Sequence, residues 1–274
     1  MSAAPPSGIP TAQFASLVNG ADRVPEDDPA EALHEASRLY PNIAPSRLTV
    51  MMELTLGGDL VQTIERASRT HDHRPGVDLP VDAPLGNRLG DLLRHRRSSH
   101  VEVQRPLRLA DLATVLGAGY RSIELPGGIS RRPVPSGGAL YPLELYVLAL
   151  SVEGLEPGRY HYNPYRHRLE LLGGLSWPEA RGALVDARLL DGAAAIIVVT
   201  AMFWRSRLKY GARGYRFALL EAGHLGQNAV LASTALDLPA LPLGGFFDRR
   251  LDRLVGADGL DEATVHAIVL GGAR

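Results

Sequence analysis

A long helix predicted over residues 213–236 constrains the fold of this 274-residue chain more than any other feature. Its apolar residues occupy several faces, not one stripe: Phe217, Leu219, Leu220, Leu225, Val230, Leu231 and Leu236. A helix that is apolar nearly all round is normally buried on most sides. Four polar residues nevertheless lie in its middle: Glu221, His224, Gln227 and Asn228. Because buried polar groups need partners, we expect bonds to neighbouring backbone, to a second subunit or to a ligand.

Strands and helices alternate through the chain from Asn87 onward. Apolar runs predict buried strands at residues 143–150, 194–200 and 265–270. A hairpin of residues 159–162 and 168–172 turns at Asn163-Pro164. Further helices are predicted to end near residues 94–97 and to cover residues 109–116 and 177–184. This interleaving indicates an α+β or α/β domain.

The first 86 residues have a different character. Four prolines in residues 1–28 indicate an extended arm, and residues 29–70 look helical, with a second helix over residues 46–68. Three prolines then mark residues 71–86 as a linker. We therefore predict an N-terminal arm and helical extension over residues 1–86 and one domain over residues 87–274.

Composition excludes several functions. The 29 basic and 30 acidic residues give a net charge of −1, which argues against a broad nucleic-acid-binding surface. There is neither a signal peptide nor an apolar run of the ~18 residues that a bilayer requires, so we expect a cytoplasmic protein without membrane contact. The absence of cysteine excludes disulfides and thiol nucleophiles. His71-Asp72-His73 is spaced poorly for a single metal site, and no metal centre is predicted.

Lys209 is the only lysine, since the other 28 basic residues are arginine. A chain so rich in arginine has a ready substitute for any lysine that only needs to be positive. An ammonium group can change its protonation state or tune a neighbour such as Tyr210, whereas guanidinium stays charged. Gly211 permits a non-helical turn that would let both side chains face one substrate. The alternative is a lysine retained by chance on a solvated surface.

Three further segments have compositions that suit a bound ligand. Arginines and serines are concentrated in residues 93–100, where they could bind phosphate, although a solvated basic turn would look the same. Glycine loops at residues 132–142 and 239–248 let backbone approach a flat ligand closely. Neither loop has the spacing of a Walker loop or a dinucleotide fingerprint.

Together these segments resemble one family. Arg96-Arg97-Ser98, then residues 135–147, then residues 209–228 are similar in sequence and order to SagB/ThcOx-type azoline dehydrogenases of the nitroreductase superfamily. The resemblance covers residues 87–274, and His34-Glu35-Ala36-Ser37 is also similar to a segment upstream of that core. It implies an α+β, nitroreductase-like sandwich, with a central, mainly antiparallel sheet and long helices. It also implies an intertwined homodimer with FMN at the subunit interface.

The resemblance further implies a reaction and partners. Members of this family oxidise thiazolines and oxazolines to thiazoles and oxazoles in ribosomally synthesised peptides. The expected substrate is an azoline-containing precursor peptide. Residues 1–86 look too short for a complete leader-binding module, so we expect delivery by a partner protein, in a cyclodehydratase complex.

Site residues follow from the same resemblance, position by position. The FMN phosphate would be held by Arg96, Arg97 and Ser98, with Arg274 as a further cation and His100 where relatives carry another arginine. The flavin would be contacted from the partner subunit by Pro135, Ser136 and Gly137, and its ring would be lined by Leu243, Gly244 and Gly245. Proton removal would fall to Lys209 and Tyr210.

The reaction expected of these residues removes a proton from one ring carbon and a hydride from the next. Tyrosine is a poor base at its reference pKa near ~10 and needs a nearby cation, so Lys209 would either assist Tyr210 or act as the base itself. Two other functions stay open. One is an NAD(P)H-dependent nitroreductase-like flavoenzyme acting on small molecules, and the other is a flavin-less scaffold subunit of a peptide-modifying complex.

Overall fold

The computed structural model describes residues 28–40, 68–101, 105–126 and 130–273. Nearly all of the predicted arm, the second helix predicted over residues 46–68 (except its last residue) and Arg274 lie outside these described residues. Residues 28–40 belong to a separate compact unit. There helix α1 (Pro29–Ala36) begins at Asp28, whose side chain accepts a hydrogen bond from the Ala30 backbone N at 2.7 Å. This is the usual chemistry of a helix N-terminus.

A seven-stranded antiparallel sheet forms the centre of the second unit. Its strands are β1 (Gly76–Asp78), β4 (Leu143–Ala149), β5 (Gly158–Asn163), β6 (Arg168–Gly174), β7 (Ala195–Met202), β8 (Ala240–Leu243) and β9 (Glu262–Leu270). They are arranged in the order β1-β6-β5-β4-β7-β9-β8. A separate ribbon pairs β2 (Ile123–Glu124) with β3 (Ser130–Arg131).

Helices cover both faces of this sheet. In the described part of the unit they are α2 (Leu89–His95), α3 (Leu109–Tyr120), α4 (Trp177–Gly182), α5 (Phe203–Tyr210), α6 (Arg213–Ala235) and α7 (Asp248–Val255), with 3-10 turns at Gly137–Ala139 and Ala187–Leu190. Helices α3 and α6 pack on one face, and α4 and α7 pack on the other. No helix in the described residues is both long and apolar enough to cross a bilayer.

Strand β4 shows why the central strands read as continuous apolar runs. Leu145 and Val147 point to the core beneath α3 and α6, whereas Tyr146 and Leu148 point to the core beneath α4 and α7. Since both faces of the strand are buried, both sets of alternate residues must be largely apolar. The predicted α+β class with a mainly antiparallel sheet is confirmed, and so are the predicted central strands and helices, within a few residues.

Three expectations need correction. Residues 71–86 are not a simple linker, because β1 pairs with β6 and Leu79 is buried in the core. The second glycine loop contains an edge strand, β8. The long helix is present but is not buried on most sides within one chain, since Leu219 and Leu220 are 42% and 59% exposed. The division between residues 86 and 87 stays a prediction.

Candidate functional site

Lys209 and Tyr210 are the last two residues of α5, and both side chains approach the same glycine. A Cβ atom built on Gly138 would lie 2.5 Å from the Tyr210 hydroxyl and 3.1 Å from Lys209 Nζ. The Nζ atom lies 5.4 Å from the centroid of the Tyr210 ring. Lys209 is only 9% exposed, so it is not a solvated surface lysine. An amine and a phenol therefore meet at one point of the glycine loop.

The expectation that this pair needs a non-helical turn was wrong. Both residues are helical, and α5 ends only at Gly211, whose φ of 56° lies in the left-handed region that favours glycine. The long lysine stem spans the angle between adjacent helical positions. The Tyr210 ring meets the Phe217 ring edge-on, with centroids 4.9 Å apart. The end of α5 is thus packed against the start of α6.

The glycine loop opposite this pair has a tightly turned backbone. Gly138 has a φ of 66°, and the non-glycine residues Ala139 and Tyr141 also have positive φ values of 55° and 43°. The Tyr141 backbone N donates to Ser136 Oγ at 2.9 Å, which fixes the turn. A Cβ atom on Gly137 would lie 2.8 Å from Phe217 Cδ2. Such strained backbone persists only where its surroundings hold it, and it is concentrated at functional sites.

A buried polar cluster lies behind the loop. Tyr120 donates its hydroxyl proton to Glu221 Oε1 at 2.7 Å, and the same hydroxyl accepts from the Leu143 backbone N at 3.1 Å. Burial raises the pKa of Glu221 to about 7, although Ser136, Tyr120 and the charge of Arg132 act to lower it. Glu221, one of the four polar residues in the middle of the long helix, thus has the Tyr120 side chain as its partner. Glu221 can change its protonation state near neutral pH.

The basic segment after α2 is open to solvent. Arg97, Ser98 and His100 are exposed and Arg96 is partly exposed. Arg94 pairs with Asp91 at 3.4 Å, whereas in the described part of the chain neither Arg96 nor Arg97 has a carboxylate partner. The Ser99 backbone N donates to the Ala240 carbonyl at 2.9 Å, which joins this segment to β8. As far as the described residues go, these two guanidinium groups and the exposed Ser98 hydroxyl are available to bind an anion.

Within the second glycine loop, the pair Gly244-Gly245 follows β8. Leu243 is buried in the core, so only its backbone can face a ligand. Gly244 and Gly245 are exposed, and a Cβ atom on either would meet nothing within 4 Å. The Gly245 carbonyl accepts from the Val185 backbone N at 3.0 Å, which fixes the loop. The segment offers open backbone surface on a fixed support.

Within one chain the basic segment and the Lys209–Tyr210 pair lie at opposite ends of the sheet. Ser99 bonds to Ala240, which pairs with Leu270 at the end of β9. Lys209 lies on α5, the helix that begins directly after Met202, and Met202 pairs with Glu262 at the start of β9. The nine residues of β9 span about 26 Å at ~3.3 Å per step. A single copy of the chain does not bring the basic segment to the Lys209–Tyr210 pair.

Comparison with known proteins identifies the family of this chain. Residues 93–272, well over half of the chain, match the model of the Nitroreductase family. The chain belongs to the nitroreductase family. The resemblance to SagB/ThcOx-type azoline dehydrogenases inferred from the sequence motifs is likewise confirmed, by the match to a microcin B17-processing protein.

Two relatives and one solved structure illustrate the similarity. The putative nitroreductase MJ1384 of Methanocaldococcus jannaschii is 34% identical over 61% of this chain and 84% of its own length. The microcin B17-processing protein McbC of Escherichia coli is 34% identical over 53% of this chain, and the match spans 54% of McbC. The E. coli microcin synthetase McbBCD complex, solved with truncated pro-MccB17 bound, contains a chain with the same fold. That chain matches with a TM-score of 0.60 at 22% identity, over 91% of this chain and 99% of that one.

Within this nitroreductase fold the sequence reasoning missed one charged group. Glu144, His161 and Glu170 lie on neighbouring strands, and His161 bonds to both carboxylates at 3.0 and 3.2 Å. Arg205 on α5 lies 2.6 Å from Glu144. Charged residues inside otherwise apolar strands were the available signal. Within the described residues, no three histidine or carboxylate side chains are arranged to hold a metal ion.

Proposed function

We propose that this chain is an FMN-dependent azoline dehydrogenase that oxidises thiazoline or oxazoline rings to thiazoles or oxazoles in a ribosomally synthesised peptide. The observation that carries the proposal is the convergence of Lys209 Nζ and the Tyr210 hydroxyl on Gly138. A nitroreductase that only moves hydride needs no such pair. The similarity to McbC, a microcin B17-processing protein, supports a peptide as the substrate.

The residues present fit FMN. Arg96 and Arg97 lack carboxylate partners in the described part of the chain, and with Ser98 they offer the planar forks and hydroxyl that suit a phosphate group. His100 and Arg274 would add donors. Gly244 and Gly245 leave open space where a flat ring could approach the backbone. Pro135, Ser136 and Gly137, at the start of the glycine loop, would contact the same ring from the partner subunit.

Bound FMN would supply the acceptor for the hydride. The task of the chain is to place the heterocycle and to remove the proton from its other carbon. Tyr210, as its phenolate, would accept that proton and become a neutral phenol, and the neighbouring Lys209 ammonium would stabilise the negative charge on the phenolate oxygen before the transfer. Burial of Lys209 keeps bulk water from screening this charge. The ring loses one proton and one hydride and becomes aromatic.

A second copy of the chain would complete the site. The basic segment of one subunit would face the Lys209–Tyr210 pair of the other, because one chain holds these groups at opposite ends of its sheet. The exposed Leu219 and Leu220 of α6, with Leu89 and Leu93 of α2, offer an apolar surface for this homodimer. Obligate homodimer interfaces are more hydrophobic than transient ones, so a set of exposed leucines suits such an interface.

Further partners are part of the same proposal. The McbBCD complex was solved with a truncated precursor bound, which supports an azoline-containing precursor peptide and a cyclodehydratase complex as partners of this chain. A cytoplasmic location belongs to the same proposal.

The test is oxidation of a synthetic peptide that carries one thiazoline, with an oxazoline peptide as a second arm. FMN-loaded wild type should lower the peptide mass by about 2 Da, the two hydrogens removed. Lys209→Ala and Tyr210→Phe should keep the flavin absorbance while the rate falls by at least about 100-fold, because general base catalysis is worth that much. Mass spectrometry of the peptide and the absorbance spectrum of the protein measure these outcomes.

Arg207→Ala is the matched control, because Arg207 lies on the same helix and is exposed. It should retain the wild-type rate. Full activity in either Lys209→Ala or Tyr210→Phe would contradict the assigned roles. A protein that stays colourless after FMN loading would instead indicate a flavin-less scaffold subunit.

A general nitroreductase is the second candidate, because MJ1384 matches over more of this chain than McbC does. Under that function NADPH would bleach the flavin rapidly and nitroaromatics would be reduced. The thiazoline peptide would keep its mass. An azoline dehydrogenase shows the reverse pattern, since its peptide reduces the flavin.

A further inference from the structure

Arg205 lies one helical turn before Lys209 on α5, so the two side chains share a face of the helix. The Arg205 side chain is only 10% exposed, and its Nη2 atom lies 2.6 Å from Glu144 Oε1. Its Nη1 atom lies 3.4 Å from the Tyr141 carbonyl oxygen. One guanidinium group therefore joins the helix that carries Lys209 both to the end of the glycine loop and to the start of β4.

Glu144 is a fixed anchor for this contact. Its Oε2 atom lies 3.0 Å from His161 Nε2, and its Oε1 atom accepts a hydrogen bond from the Arg69 backbone N at 2.9 Å. His161 is held in turn by Glu170, with 3.2 Å between Nδ1 and Oε2. Glu144, His161 and Glu170 are all at most 1% exposed. A carboxylate held on several sides inside the sheet cannot follow a shift of α5.

The chemistry of arginine matters at this position. A planar guanidinium can direct separate N–H groups at a carboxylate and at a carbonyl, and the two bonds together fix its orientation. The carbonyl belongs to Tyr141, whose strained backbone follows Gly138 by three residues. A change in the Arg205 contacts would move α5 relative to the loop, and with it the amine and phenol that face Gly138.

We propose that Arg205, anchored by Glu144, is a positioning residue that sets the distance between the Lys209–Tyr210 pair and the glycine loop. The expected kinetic effect rests on the proposed function. The expected displacement of Lys209 does not depend on catalysis and can be tested without a substrate. It predicts that breaking the Arg205–Glu144 contact displaces Lys209 without removing the cofactor.

The sole lysine makes this displacement measurable without any substrate. Reductive methylation with ¹³C-formaldehyde labels Lys209 and the N-terminal amine, and the Lys209 resonance is assigned from its loss in Lys209→Ala. Arg205→Gln and Glu144→Gln should shift that resonance. Arg207→Gln, a matched change at an exposed position of the same helix, should leave it unchanged.

The kinetic arm uses the FMN-loaded protein and the thiazoline peptide. Arg205→Gln and Glu144→Gln should each lower kcat about 10- to 100-fold with KM within about twofold, because misplacement of about 1 Å can cost this much. The double variant should be no worse than either single one, since both break the same contact. Flavin content and Tm are measured on every variant.

An unshifted lysine resonance, or a kcat equal to that of Arg207→Gln, would overturn the proposal. So would a kcat that falls only in proportion to the flavin content or the folded fraction, because the role would then be structural alone. Should Arg205→Gln not fold, Glu144→Gln tests the same contact from the other end. Failure of both to fold also overturns the positioning role. If wild type leaves the peptide unchanged, the proposed function fails, yet the resonance still decides whether Arg205 places Lys209.

Discussion

At the scale of single residues, burial separates functional charges from ordinary ones. Among the described residues, most arginines are exposed or partly exposed, whereas Lys209 is buried beside Tyr210 and faces Gly138. Arg205 is equally confined, because it contacts Glu144 inside the sheet. Burying a charge costs free energy unless the charge is paired, so a buried cation indicates a position with a structural or functional role. The rarity of lysine could be read from the sequence, but the pairing of Arg205 could not.

His161 gives a prediction about stability and pH. Burial lowers its pKa, but hydrogen bonds to Glu144 and Glu170 outweigh this effect, and the net pKa is raised. His71 and Tyr146 also face the ring, at centroid distances of 5.1 and 5.2 Å. A raised folded-state pKa means that the stabilisation is fully present below the unfolded value of about 6.5. It is lost as the pH rises through the folded value.

His161→Gln should therefore lower Tm more at pH 6 than at pH 9. Thermal melts of the variant and of wild type at both pH values measure this difference. His73→Gln, at an exposed histidine, should show no such dependence. A loss of Tm that is equal at both pH values would mean that His161 is not held in its charged form.

At the scale of elements, local sequence patterns predicted the strands and helices that consist of continuous apolar runs. The strands at residues 143–150 and 194–200 and the helix at residues 213–236 were predictable because their burial leaves a clear pattern in the sequence. Helix α5 was missed, since its buried positions include Ser206 and Lys209 and it shows no apolar stripe. Strand β8 was missed because it is a short edge strand that contains Pro242.

The contact between α5 and α6 gives a prediction at this scale. A Cβ atom on Gly214 would lie 2.6 Å from the backbone carbonyl carbon and oxygen of Ser206. Gly214→Ala should push the two helices apart, with a cost on the order of 1–3 kcal/mol in unfolding free energy. Since α5 carries Lys209, kcat should fall as well. Denaturant unfolding and azoline oxidation measure the two effects.

Gly182→Ala is the control for this prediction, because its nearest neighbour is the end of the Arg250 side chain at 4.0 Å. It should be neutral or slightly stabilising, since alanine favours helix more than glycine does. If Gly214→Ala is equally neutral, the close approach of the two helices does not constrain the site.

At the scale of the whole molecule, antiparallel pairing decides which groups can meet. Residues at the two ends of β9 are held about 26 Å apart. The basic segment lies at one end and the Lys209–Tyr210 pair at the other. The proposed FMN site would therefore need two chains. The exposed Leu219 and Leu220 of α6 are the surface on which the second copy would pack.

Complementation between subunits tests this arrangement. Arg97→Ala and Lys209→Ala should each be inactive alone. When the two are unfolded and refolded together, half of the dimers contain both variants, and each such dimer has one intact site. About a quarter of the wild-type activity should return. Two copies of the same variant, refolded in the same way, serve as the control. No recovery in the mixture would mean that Arg97 and Lys209 serve the same site within one chain.

The sequence by itself determined a domain of interleaved strands and helices, its central strands, its long helix and the identity of the chemical groups, because these depend on local periodicity and residue type. Tertiary structure alone decided where those groups lie. It placed Lys209 and Tyr210 over Gly138, linked Arg205 to Glu144, and separated the basic segment from both. The physical reason is that these relations join residues far apart in the chain. Strand register, helix packing and a few buried ion pairs set such distances, and no local pattern records them.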